Sequence, residues 1–91
     1  VKVVGDYLGK RLDELVEEFD CVETRRGIGM MQGLVFNRPV GDIIVRAMEN
    51  GLILINAGTN IIRFVPSLII TKENVDEMME ILHKSMKEIL D

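Results

Sequence analysis

The chain has 91 residues, a formal net charge of -4 at pH 7, 47% hydrophobic residues and 29% charged residues. This composition is typical of one folded domain. It argues against nucleic acid and anionic membranes as partners, because both bind clustered Lys and Arg side chains. The longest apolar runs fall far short of the roughly 20 residues that span a bilayer. We therefore expect no membrane span. We also expect no secretory signal, because no basic region followed by an apolar run opens the sequence.

Cys21 is the only cysteine and His83 the only histidine of the sequence. A disulfide within the chain and a zinc site of several Cys and His ligands are thereby excluded, and the cytoplasm is the expected compartment. A Cys–His pair would act as nucleophile and base only if the fold brought the two together. Since Cys21 adjoins a predicted strand and His83 lies in a helical pattern, we expect structural roles for both and no metal site.

The first predicted element is a helix, because apolar residues recur at spacings of three and four. These residues are Val4, Leu8, Leu12, Leu15, Val16 and Phe19. No Ser, Thr, Asp or Asn precedes the first apolar residue as a cap. We therefore expect this helix to continue a longer chain.

Two strands are predicted next, Val22–Arg25 and Met31–Phe36, with a turn bracketed by Gly27 and Gly29. The turn joins two strands rather than a strand and a helix, and its glycines do not match the GxGxxG spacing. A tight turn with positive φ is therefore favoured over a phosphate site. The neighbouring Arg25 and Arg26 could bind an anion, but adjacent basic residues at a strand end are more often solvated.

A short helix follows and is expected to end at Asn50 and Gly51, where glycine can take the left-handed conformation. Leu52–Asn56 is the next predicted strand, a turn occupies Ala57–Asn60, and Ile61–Val65 returns.

The final predicted helix has Thr71 as its N-cap and acidic residues in its first turn. Its apolar face comprises Val75, Met78, Met79, Leu82, Met86 and Ile89. The order α-β-β-α-β-β-α predicts an α+β fold over residues 1–91, a two-layer sandwich. We expect a mostly antiparallel sheet of three to four strands with the helices on one face.

Arg63 lies inside an apolar run that has apolar residues on both faces of the predicted strand. This pattern predicts that the strand is covered on both sides. A buried guanidinium needs a partner, and its planar fork suits bidentate contact with a carboxylate. From the residues alone, a structural ion pair, an edge-exposed side chain and a ligand-binding arginine all remain open.

Several motifs follow one another in order along the chain. The stretch RRGIGMMQGLVF has an R-G-x-G turn before a strand. The later stretch AMENGLILINAGTNIIRFVPSLIITKENVDEMMEIL has a helix ending in G-L, an N-A-G hairpin, an I-R-F-x-P-x-L strand and a Thr-capped helix. In this order and spacing they resemble the C-terminal small domain of class III pyridoxal-phosphate-dependent aminotransferases. Val35, where Glu is common, and Ser67, where a second proline is common, depart from the family pattern.

The resemblance implies that Arg63 binds the carboxylate of the amino-acid or 2-oxo-acid substrate. It also implies pyridoxal phosphate in the intact enzyme, a homodimer, and an upstream large domain that holds the cofactor. The Schiff-base lysine would belong to that large domain. We therefore expect no catalytic, cofactor-binding or metal-binding residue in this chain, no bound cofactor and no activity of the chain alone.

Within the family, the Asn56-Ala57-Gly58 step favours the acetylornithine branch. The implied reaction is amino transfer between N-acetylornithine and 2-oxoglutarate in arginine biosynthesis, with ornithine or 4-aminobutyrate as alternative amino donors. A different function also remains open, a stand-alone α+β regulatory module that binds an amino acid through Arg63.

Overall fold

The structure, a computed structural model, describes residues 2–28, 31–64 and 71–90. Its helices and strands follow the predicted order. They are α1 (Lys2–Glu18), β1 (Val22–Ile28), β2 (Met31–Phe36), α2 (Gly41–Glu49), β3 (Leu54–Gly58), β4 (Ile61–Phe64) and α3 (Lys72–Leu90). None of these helices combines the length and the apolar character needed to cross a membrane.

The strands form one antiparallel, 4-stranded sheet in the order β1-β2-β4-β3. β1 pairs with β2, β3 pairs with β4, and the pairing of β2 with β4 joins the two halves of the chain. β1 and β3 are the edges of the sheet. The predicted α+β fold with a small antiparallel sheet is confirmed.

All three helices contribute to one hydrophobic cluster on a single face of the sheet. Its fully buried members include Leu8 and Leu12 of α1, Leu34 and Phe36 of β2, Ile43 and Ala47 of α2, Ile62 and Phe64 of β4, and Val75, Leu82 and Met86 of α3. The predicted core methionines Met78, Met79 and Met86 all belong to this cluster. Because alternate residues of a strand point to opposite faces, the even-numbered residues of β2 and β4 mark the covered face.

Polar contacts fasten α1 to α3 and to the sheet. The Tyr7 hydroxyl donates to Asp76 Oδ1 at 2.6 Å, and Arg11 forms an ion pair with the same carboxylate. Arg11 also donates a hydrogen bond to the Tyr7 hydroxyl, and this bond raises the pKa of Arg11. On β2, the buried Gln32 donates from Nε2 to the carbonyl of Gly5 at 2.8 Å. The first and last helices are thus joined directly.

The end of α2 is a Schellman motif, in which the chain leaves the helix through a left-handed glycine. Gly51 has φ 99°, and its N–H donates to Met48 O at 3.1 Å. The N–H of Leu52 donates to Ala47 O at 2.8 Å. The predicted role of Gly51 is confirmed. Since Leu52 belongs to the helix end, β3 begins at Leu54 rather than at the predicted Leu52.

The start of α3 is a reciprocal cap. Thr71 Oγ1 accepts from the N–H of Asn74 at 3.1 Å, and Asn74 Oδ1 accepts from the N–H of Thr71 at 3.1 Å. This is the geometry of a capping box, with Asn in the position that Glu or Gln usually takes. Thr71 is therefore the N-cap, as predicted.

The other strand boundaries differ from those predicted. β1 extends to Ile28, beyond the predicted end at Arg25, and contains Gly27 with φ 97°. The positive φ of Gly27 is as predicted, but the residue lies in the strand rather than in the turn. Gly29 and Val65, the predicted end of the last strand, lie outside the described residues.

Candidate functional site: a groove on the open face of the sheet

The face of the sheet opposite the helices is called the open face here. Strand register and side-chain alternation place seven described residues on it. They are Thr24, Arg26, Gly33, Val35, Ile55, Ile61 and Arg63. None of them belongs to the hydrophobic cluster under the helices. The open face is thus chemically separate from the core.

A groove of ≈ 510 Å³ lies on the open face. Its lining combines the apolar side chains of Ile55, Ala57 and Ile61 with two guanidinium groups, those of Arg26 and Arg63. No acidic side chain of the described residues lines it. A cationic groove with apolar walls suits a small organic anion, because the walls lower the dielectric around the charges.

Arg63 lies in β4, opposite Gly33 of β2 on one side and Ile55 of β3 on the other. Its side chain is exposed, and no carboxylate among the described residues forms an ion pair with it. The prediction that this strand is covered on both faces is wrong for the described chain, since Ile55 beside it is 44% exposed. An internal ion pair does not account for Arg63 in the described part of the chain.

Gly33 allows β4 to approach β2 closely at Arg63. A Cβ atom built on Gly33 would lie 2.6 Å from the backbone oxygen of Ile62 and 3.5 Å from the Cα of Arg63. Contacts below 3.0 Å with backbone force a displacement. The absence of a side chain at Gly33 therefore helps set the position of Arg63.

Arg25 and Arg26 are adjacent in sequence but lie on opposite faces. Arg25 is on the helix side, where its Nε donates to Asp13 Oδ1 at 2.8 Å and its Nη1 to Gln32 Oε1 at 3.0 Å. Arg26 is exposed on the open face. The prediction that both arginines are solvated is therefore wrong for Arg25.

Val35, one of the two departures from the family pattern, is buried on the open face with 6% exposure. It lies opposite Ile61, so it adds to the apolar end of this face. Ser67, the other departure, lies outside the described residues.

Cys21 and His83 have separate surroundings. Burial raises the pKa of the half-buried Cys21 thiol, and the charge of Arg38 partly offsets this. His83 Nε2 lies 2.7 Å from Glu18 Oε2, and its ring meets that of Phe19 edge-on at 5.6 Å between centroids. No hydrogen bond joins Cys21 to His83 in the part of the chain that the structure describes. These surroundings fit the structural roles predicted for both.

Pyridoxal phosphate, the implied cofactor, does not fit the described residues. The lysines all lie on α1 and α3, and none of those whose side chains are described lines the groove. The four whose side chains are described, Lys10, Lys72, Lys84 and Lys87, are exposed. A lysine that forms a Schiff base with a carbonyl compound is usually activated by burial in a pocket, and these exposed lysines lack that burial. We assign no cofactor contact to the residues that the structure describes.

Comparison with known proteins places these observations in a family. The family model described as "Aminotransferase class-III" matches residues 1–86. The acetylornithine aminotransferase of Gloeobacter violaceus is 51% identical over 80 residues, which are 86% of this chain and 20% of that protein. The mitochondrial acetylornithine aminotransferase of Yarrowia lipolytica is 38% identical over 89 residues, 97% of this chain and 22% of that protein.

Solved structures give the same result. The acetylornithine aminotransferase of Elizabethkingia anophelis superposes with a TM-score of 0.84 at 26% identity, covering 96% of this chain and 24% of that one. The ornithine aminotransferase of Plasmodium yoelii superposes with a TM-score of 0.85 at 32% identity, again covering 96% of this chain and 24% of that one. The chain thus spans between a fifth and a quarter of the length of these relatives.

Proposed function

Because the chain belongs to the class-III aminotransferase family, we propose that it is the C-terminal small domain of a longer pyridoxal-phosphate-dependent enzyme. In this proposal, Arg63 is the arginine that binds the carboxylate of the substrate. The observation that carries this proposal is the exposed guanidinium of Arg63, which lines an apolar groove and has no carboxylate partner among the described residues. A substrate carboxylate would supply that partner.

Arg63 would act by orienting the substrate. Its planar fork can donate two parallel hydrogen bonds to one carboxylate, which fixes the direction as well as the position of the bound molecule. The apolar side chains beside it, such as Ile61, would strengthen the attraction by excluding water. Held in this way, the amino or oxo group of the substrate would point consistently toward the cofactor.

The rest of the reaction would depend on residues outside this chain. Pyridoxal phosphate supplies the electron sink for transamination, and in this proposal an upstream large domain holds it and provides the Schiff-base lysine. The small domain would pack on that large domain in a homodimer and close over the substrate. The isolated chain would therefore bind no cofactor and be inactive.

The names of the relatives given above support N-acetylornithine as the proposed amino donor. With 2-oxoglutarate as the proposed amino acceptor, the reaction would place the enzyme in arginine biosynthesis. An ornithine aminotransferase superposes equally well, so ornithine is the alternative amino donor to test. The cytoplasm is the proposed compartment; some relatives are mitochondrial by name.

The test replaces Arg63 by Ala and by Lys in the intact enzyme. A hydrogen bond to a charged group contributes about 1.5–3 kcal/mol, so Arg63→Ala should lower kcat/KM for the amino-acid substrate at least about tenfold. Arg63→Lys should recover only part of the loss, because an ammonium cannot form the bidentate contact. An amine analogue that lacks the carboxylate should react equally well with all three proteins.

Arg46→Ala is the matched control, since Arg46 lies on α2 and is 3.7 Å from Glu49 rather than in the groove. It should leave kcat/KM unchanged. If Arg63→Ala kept the activity of the wild type toward the amino acid while remaining folded, the carboxylate-binding role would be wrong.

A further inference from the structure

Arg26 is the second arginine of the groove. In β1 it lies opposite Gly33, and Gly33 in turn lies opposite Arg63. Residues paired in this way project from the same face of an antiparallel sheet. Arg26, Gly33 and Arg63 therefore form one row across three strands, with a glycine in the middle.

The partners of the other arginines set these two apart. Arg11, Arg25, Arg38 and Arg46 each have a carboxylate oxygen within 4.0 Å. In the described part of the chain no carboxylate pairs with Arg26 or with Arg63, and these are the two that line the groove. With 15 acidic residues and a net charge of -4, carboxylates are plentiful in this chain, so the exception is specific to the groove.

The spacing of the two arginines suits an anion with two ends, or two anions side by side. Neighbouring strands lie about 4.8 Å apart, so the backbones of Arg26 and Arg63 are separated by roughly 10 Å. On the intervening strand the residue between them is Gly33, which has no side chain. Two long guanidinium side chains can therefore converge over one glycine.

We propose that Arg26 is a second carboxylate-binding group of the groove, beside Arg63. This inference rests on the proposed function, since it assigns the groove to an aminotransferase active site. The carboxylate has two possible sources. It is either the distal carboxylate of a dicarboxylate substrate or an Asp or Glu side chain from the remainder of the enzyme.

The experiment uses the intact enzyme with Arg26→Ala and Arg26→Lys, and Arg46→Ala as the matched control. Calorimetry measures the dissociation constants of 2-oxoglutarate and of 2-oxopentanoate, which has the same chain length but one carboxylate. The thermal unfolding midpoint is measured at low and high salt. Neither measurement requires turnover.

Two outcomes would support the proposal, and a third would overturn it. If the carboxylate comes from the substrate, Arg26→Ala raises the dissociation constant of 2-oxoglutarate at least about tenfold and leaves that of 2-oxopentanoate unchanged. If the carboxylate comes from the protein, Arg26→Ala changes the dissociation constants of both ligands by the same factor. It also lowers the thermal unfolding midpoint below that of the Arg46→Ala variant, and the difference is larger at low salt than at high salt. Arg26→Lys should be intermediate in either case.

The proposal would be overturned if the Arg26→Ala and Arg46→Ala variants had the same dissociation constants for both ligands and the same unfolding midpoint. Failure of the proposed function would be visible separately. In that case Arg63→Ala would bind both ligands as tightly as the wild type, whatever Arg26→Ala does.

Discussion

Gly33 is the residue whose missing side chain matters most to the groove. Arg63 lies directly opposite it, and the contact between the two strands leaves no room for a methyl group. The position of Arg63 is thus governed in part by a glycine on the neighbouring strand.

Gly33→Ala should destabilise the chain by about 1–3 kcal/mol, the usual cost of forcing extra volume into a well-packed position. The added Cβ would lie 2.6 Å from Ile62 O, so β4 would have to move. In the intact enzyme the same change should raise KM for the carboxylate substrate, because Arg63 moves with its strand. Urea unfolding and steady-state kinetics measure the two effects.

Gly41→Ala is the control for this substitution. A Cβ atom on Gly41, the first residue of α2, would have nothing within 4 Å. Alanine there should be neutral or add about 0.4–1 kcal/mol, since it restricts the unfolded chain. Equal unfolding free energies for Gly33→Ala and the wild type would show that β4 adjusts without cost.

The sequence singled out Arg63 as an ion within an apolar strand, but only the resemblance to the family implied a carboxylate-binding role for it. It did not predict which face was exposed, because alternation defines two faces but not the one that the helices cover. Arg26 was considered for anion binding and set aside as solvated, and its place on the open face was not predicted for a related reason. The predicted strand ended at Arg25, whereas pairing with Gly33 extends β1 past Arg26, and strand pairing is not readable from local sequence.

At the scale of elements, the helix ends were the most predictable features. Gly51 and Thr71 act through bonds to residues only a few positions away, so the information is local. The start of β3 was predicted too early. Leu52 is an apolar residue that is compatible with a strand, but its N–H donates to Ala47 O at the end of α2.

Thr71→Ala should lower the free energy of unfolding by about 1 kcal/mol, within the range of 0.5–2 kcal/mol for lost N-caps. The N–H of Asn74 would lose its acceptor. Thr71→Ser keeps the hydroxyl and should recover most of the loss. Chemical denaturation of the three proteins provides the measurement.

Lys84→Ala serves as the reference change on the same helix, because Lys84 is exposed in the middle of α3. Its effect should stay within about 0.5 kcal/mol, as for ordinary surface substitutions. A loss for Thr71→Ala no larger than that of Lys84→Ala would mean that the cap contributes nothing to stability.

At the scale of the whole molecule, the open face and the sheet edges expose apolar side chains through which isolated chains can associate. Ile55 at the edge strand β3 is 44% exposed and Ile53 just before it is 61% exposed. Exposed apolar residues beside an unpaired strand edge promote association between chains. If the chain is part of a longer enzyme, as proposed, the rest of that enzyme would be available to cover them.

The isolated chain should therefore self-associate as its concentration rises, and Ile55→Lys should weaken the association by placing a charge on the edge. Sedimentation velocity over a concentration series measures this. Val3→Lys is the control, because Val3 is 63% exposed but lies on α1, away from the sheet. Association that Val3→Lys and Ile55→Lys reduce equally would place the contact elsewhere.

The pairing of α1 with α3 has a consequence for how the chain is made. The partner of Tyr7 is Asp76, which is 69 positions later in the sequence, and α3 supplies Val75, Leu82 and Met86 to the core. While a ribosome is still synthesising α3, the earlier helices and strands have no partner for the apolar surface that α3 will cover. Hairpins between neighbouring strands can form early, but the domain becomes stable only after its last helix has left the exit tunnel.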